Sequence, residues 1–144
     1  MLVKKEVLIS ADIKKVWEVF SQLENWPKWG GYILKTKWIS GSRWERNSKF
    51  VQKISGFLFI DSYSSRCEIL EIRKLKFVEW RGTRKLMQGT HSFKFQKTGK
   101  KTKVSNIEYF KGPLAPLIFP LIKNKFEIYF EQFNQGLKNE CEEQ

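Results

Sequence analysis

The chain has 144 residues, 41% of them hydrophobic and 15% aromatic, and a formal net charge of +12. This is one domain's worth of chain, able to bury roughly two-thirds of its unfolded surface. Twelve Phe, six Trp and four Tyr must fill a core, line a cavity or form an interaction face, which excludes global disorder, and no run approaches the ~18 apolar residues of a transmembrane helix.

Residues 2–9 alternate weakly and read as a strand; their apolar stretch is too short for the core of a signal peptide. Ser10 or Asp12 then caps a helix whose stripe is Val16, Trp17, Val19 and Phe20. A second short helix over residues 22–29 is limited by Pro27 and ended by Gly30-Gly31. Trp17 belongs to the core. Trp26 and Trp29, which flank Pro27, either cap the sheet or rim a pocket mouth. Trp38 and Trp44 flank a turn at Gly41-Ser42.

From residue 32 to 111 the pattern is strand-like, in runs over 32–39, Lys49–Ser55, 63–72, 76–81, 91–97 and 103–111. Turn residues stand between them at Gly56, Arg73-Lys74, 82–89 and 98–101, which is the pattern of an antiparallel meander. After Pro113 the period changes to three and four, from Leu114 through Phe126, Tyr129 and Phe130 to Leu137. That is an amphipathic helix of about six or seven turns, with Pro116 suited to its first turn and Pro120 expected to kink it. The resulting class is α+β, with a long C-terminal helix packed on a curved antiparallel sheet and a cavity where the two part.

Strand phase names the lining. His91, Phe93 and Phe95 share the inner face; Ser92, Lys94 and Gln96 share the other. A symmetric hairpin about Gly99 pairs residues whose numbers sum to about 199. It sets Val104 opposite Phe95, Asn106 opposite Phe93 and Glu108 opposite His91, with Phe110 also inward and Ile107 and Tyr109 outward. Trp80 joins the His91 row if the 82–89 connection closes symmetrically. The expected ligand-binding set is therefore Trp80, His91, Phe93, Phe95, Asn106, Glu108, Phe110, Phe126, Tyr129 and Phe130.

An inward carboxylate beside the chain's one histidine has three readings. It is a structural pair, a polar floor that orients a ligand's oxygen, or an acid and base for catalysis. No glycine-rich phosphate loop, nucleophile elbow or paired-carboxylate motif is present, and Ser92 and Ser105 lie on the outward phase. One histidine offers too few ligands for a metal site, and no cofactor is expected. Cys67 and Cys141 read as two reduced thiols of a cytoplasmic protein. The lysines are dispersed, densest at the 98–101 turn, as on a solvated face. Nucleic acid is disfavoured because the strongest aromatic set faces the helix, while an acidic membrane surface stays open as a partner. Monomer and homodimer are both compatible.

These residues resemble the START/birch-pollen-allergen superfamily, in its polyketide cyclase/dehydrase-like branch. The likeness rests on VLISADIKKVWEVF with ENWPKWGGYI, on FVEWRG, on GTHSFKFQKTGKKTKVSNIEYFKGPLAPL and on the closing helix, and it covers nearly the whole chain. The resemblance implies a helix-grip fold, in which a seven-stranded antiparallel sheet and two short helices hold the C-terminal helix over a hydrophobic cavity. It places the superfamily's cavity-facing His and Glu positions at His91 and Glu108, with Asn106 where relatives often carry a histidine. The resemblance implies little about reaction; the leading expectation is binding of a small hydrophobic ligand, lipid-like or aromatic, without catalysis. The alternatives are an aromatase/cyclase-type enzyme with His91 or Glu108 shuttling protons, and an accessory protein that meets an anionic partner through its basic surface.

Overall fold

In a computed structural model, which describes residues 1–82 and 84–143, residues 2–9 form strand β1 (Leu2–Ile9). Asp12 is the cap of helix α1 (Ile13–Ser21), its carboxylate accepting from the Lys14 amide at 2.8 Å. That satisfies one of the free amides of the first turn. Ser10 is used differently: its amide donates to Glu142 near the far end of the chain. A 3₁₀ turn (Leu23–Asn25) leads into the single-turn helix α2 (Trp26–Trp29), with Pro27 in its first turn and Gly30 closing it.

Six strands follow: β2 (Ile33–Ser40), β3 (Lys49–Ser55), β4 (Ser62–Arg73), β5 (Phe77–Gly82), β6 (Gln88–Thr98) and β7 (Lys101–Lys111). Together with β1 they make one seven-stranded antiparallel sheet of order β1-β7-β6-β5-β4-β3-β2. Register shifts in the β2–β3 and β4–β5 pairs help the sheet curl. The last element is α3 (Ala115–Glu142), which continues unbroken through Pro120. Gly112 at φ 123° turns the chain from β7 into α3, and the Leu114 amide donates to the Leu86 carbonyl there.

The hairpin register is the expected one, with His91 opposite Glu108, Phe93 opposite Asn106 and Phe95 opposite Val104. Trp80 lies opposite His91, so the 82–89 connection does close symmetrically, although Thr83 lies outside the described residues.

The interior is unevenly filled. Beneath α1 and α2, rings from three layers interlock: Phe20 against Phe93 at 4.8 Å and Phe95 at 5.0 Å, and Trp26 against Phe133 at 5.2 Å and Trp80 at 5.8 Å. Trp17 packs edge-on against Phe95, and Trp38 and Trp44 cover the cluster from the side. Trp26 is therefore core, and neither it nor Trp29 reaches a pocket mouth. The other half of the sheet, toward the 56–61 and 84–87 segments, stays hollow.

Candidate functional site

That hollow is a cavity of about 870 Å³ between the concave sheet face and the first half of α3. Tyr32, Ile54, Phe57 and Phe126 wall it, and Leu114 and Ile118 bring in the start of α3. Trp80, His91, Glu108, Phe110 and Phe126 of the expected set border it. Phe93, Phe95, Asn106, Tyr129 and Phe130 do not, which corrects the expected lining. The reason is the aromatic cluster: Phe93 and Phe95 are covered by Phe20, and Phe130 lies behind the His91 ring at 4.9 Å. Tyr129 stacks on the outer side of Tyr32 at 4.6 Å, and its hydroxyl donates to the Gly56 carbonyl.

At the boundary between filled and hollow halves sits a chain of polar groups. His91 Nδ1 is 3.6 Å from Glu108 Oε1, and His91 Nε2 is 2.6 Å from Asn106 Oδ1. Asn106 Nδ2 donates to Asn134 Oδ1 at 3.1 Å, and Asn134 Nδ2 donates to the Lys5 carbonyl at 3.1 Å. The backbone carbonyl can only accept, so it sets the direction of the whole chain. Asn134 must turn its amino group to Lys5, Asn106 must turn its amino group to Asn134, and Nε2 of His91 must carry a hydrogen. In neutral His91 the bare nitrogen is then Nδ1, aimed at Glu108.

Electrostatics agree with this assignment. His91 lies among the rings of Trp80, Phe93 and Phe130, and burial pushes its pKa down to about 4 against a weaker upward pull from the Asn106 hydrogen bond. Burial pushes Glu108 up to about 8. Burial thus favours the neutral form of each partner, a carboxyl and an imidazole 3.6 Å apart, over an ion pair. The carboxyl has room because Gly89 lies alongside: a methyl group there would collide with Glu108 Oε2.

Other groups are chemically quiet. Cys67 borders the cavity, but burial raises its thiol to about 12, and Cys141 is likewise free and buried. Ser92 and Ser105 are on the outer face, donating to Glu79 and Glu6. Among the described residues no cluster of three or more His, Cys, Asp or Glu side chains could hold a metal ion, and no helix is long and apolar enough to cross a membrane. Sequence reasoning missed Gly89, Tyr32 and Asn134. Only Asn134 carried a readable signal, as a polar residue one turn from Phe130 on the apolar stripe.

Residues 2–142 match the family described as polyketide cyclase / dehydrase and lipid transport. No curated protein matches the chain. Among solved structures, TTHA0849 from Thermus thermophilus superposes with a TM-score of 0.82 at 12% identity, over 99% of this chain and 98% of its own. The Zhui aromatase/cyclase from Streptomyces sp. R1128 gives 0.75 at 11% identity, over 99% and 93%. A START superfamily protein from Mycobacterium smegmatis gives 0.75 at 15% identity, over 99% and 97%. At such identities the likeness is one of fold, a seven-stranded sheet that grips a long C-terminal helix.

Proposed function

We propose, from the premise that the chain belongs to the polyketide cyclase / dehydrase and lipid transport family, that it binds one small apolar ligand in the cavity, lipid-like or aromatic, and hydrogen-bonds an oxygen of that ligand through Glu108. The observation that carries this reading is a hollow of about 870 Å³ with the Glu108 carboxyl, which burial holds toward its protonated form, at its inner end. Its size falls within the ~300–1,000 Å³ usual for small-molecule sites, and its lining combines apolar walls with few polar groups, as such sites do. A neutral carboxyl can donate to a carbonyl or accept from a hydroxyl without bringing a charge into contact with hydrocarbon.

The same pair supports a second reading, an aromatase/cyclase-type enzyme. A substrate carbonyl seated on Glu108 would receive its proton, and the carboxylate left behind would return to the acid by taking a proton from the enolising carbon. His91 would position Glu108 through Nδ1.

Uptake of an apolar fluorescent dye tests the first reading. Ile118, half-buried at the cavity wall, can be changed to Trp to fill space without opening the core. Ile118→Trp is expected to weaken dye binding about tenfold, whereas Ile128→Trp, on an exposed part of α3 away from the cavity, leaves it unchanged. No uptake by the parent chain, or equal affinity in both variants, contradicts the cavity reading. His91→Gln separates the two readings, since a carrier keeps its ligand and an enzyme loses turnover.

A further inference from the structure

The cavity opens between two apolar lips. One is the 57–60 turn, closed by the Ile60 amide on the Phe57 carbonyl, in which Leu58, Phe59 and Ile60 all stand exposed, Phe59 at 93%. The other combines Leu86 with Leu117 and Leu121 on the outer side of α3, next to Ile118 in the wall. Leu58 has a φ of 57°, a left-handed conformation that favours glycine. An apolar side chain kept there, beside a Phe that touches almost nothing, is a local cost that folding does not explain.

The charges around the lips are mostly positive. Arg84 lies over the Tyr63 ring and donates to the Ser64 carbonyl; Lys85 borders the cavity; Lys125 lies over the Tyr129 ring, whose hydroxyl holds Gly56. Lys111 and Lys123 belong to the same end of the chain path, and Asp61 is the one acid across residues 57–61, 84–87 and 111–126.

We infer that this mouth docks on an anionic lipid bilayer, with Phe59, Leu86 and the outer leucines of α3 entering the hydrocarbon boundary and the surrounding Arg and Lys residues meeting lipid phosphates. A bilayer fits better than a protein partner because the two lips are separated by the cavity opening. A protein face would have to span that gap, whereas acyl chains close over it. A ligand of the kind the cavity accepts then passes between bilayer and pocket without crossing water. The inference rests on the cavity reading only for the position of the mouth.

Vesicle co-sedimentation tests it. The parent chain is expected to bind phosphatidylcholine vesicles that contain phosphatidylglycerol, and to release them as salt rises. Phe59→Ser with Leu86→Ser lowers that binding at least about tenfold, and Arg84→Ser with Lys85→Ser lowers it about fivefold per charge removed. Lys100→Ser with Lys101→Ser, at the opposite end of β6 and β7 in the densest lysine cluster, changes it less than about threefold. Unaltered binding by the Phe59/Leu86 variant, an equal loss in the Lys100/Lys101 variant, or equal binding to pure phosphatidylcholine overturns the docking. So does capture by a protein fraction in place of vesicles, lost on Phe59→Ser. Dye uptake measured on the same samples keeps the two readings apart, since a chain that takes up dye and ignores anionic vesicles has the cavity without the docking.

Discussion

Glu108 and His91 titrate in opposite senses, and the overlap of their ranges makes a sharp expectation. Between the ordinary 4.5 and about 8 the unfolded chain releases the Glu108 proton that the folded chain keeps, so stability falls as pH rises through that window. Between about 4 and 6.5 the unfolded chain holds a His91 proton that the folded chain lacks, so stability rises there. The two effects offset each other up to about pH 6.5, leaving an uncompensated loss of about 1–2 kcal/mol between there and about 8. Glu108→Gln keeps the shape and a donor for Nδ1 but cannot ionise. His91 is common to both proteins and cancels from the comparison, so thermal unfolding should find the variant's stability relative to the parent growing steadily from about pH 5 to about pH 8. Parallel curves for the two proteins would show that Glu108 ionises normally. The pairing itself was legible in sequence, because a period of two and a symmetric hairpin fix which residues oppose one another. Its direction was not, because that depends on the Lys5 carbonyl, 129 positions away from Asn134 in the chain.

At the level of elements, α3 and α2 meet more closely than any propensity argument allows. Gly136 sits mid-helix, where Ala would ordinarily favour the helix by about 1 kcal/mol. A methyl group at that position would collide with the backbone carbonyl of Trp29, an atom that cannot swing aside. Gly136→Ala is therefore expected to destabilise by about 1–3 kcal/mol in denaturant unfolding, against the sign of helix propensity. A stabilised variant would mean that α2 can move off α3. The strands and α3 were readable from period alone, to within a residue or two at most ends and three at the start of β6, while α3 runs five residues past Leu137, the last of its periodic apolar positions. The half of the sheet–helix interface that stays hollow was not readable. It depends on Phe20 and Trp26 being driven under the sheet by α1 and α2, which no alternation in β6 or β7 encodes, and so Phe93, Phe95 and Phe130 were expected at a cavity that ends just short of them.

For the molecule as a whole, a net charge of +12 is a standing repulsion that folding concentrates. A few side chains relieve it, such as Lys5 with Glu131 at 2.9 Å and Lys138 with Glu142 at 2.7 Å, but both pairs are exposed enough to contribute little. Raising ionic strength from a few millimolar to physiological screens the repulsion. The melting temperature should rise by a few degrees over that range, and a fall would mean that favourable pairs outweigh the excess charge. Most of the dispersed lysines stand exposed to solvent; the basic rim at the mouth was not separable from them until the turns were placed in space.

The unequal filling of the interior also divides the chain's freedom to change. Rings that interlock from three directions tolerate few replacements, since each is fitted to several others at once. The hollow end answers to a different demand, because its walls face open space rather than one another, and its lips belong to turns. Residues 57–60 and 86–87 can thus vary while the aromatic half keeps the fold, so the positions that hold the molecule together and the positions that shape its cavity are inherited on separate terms.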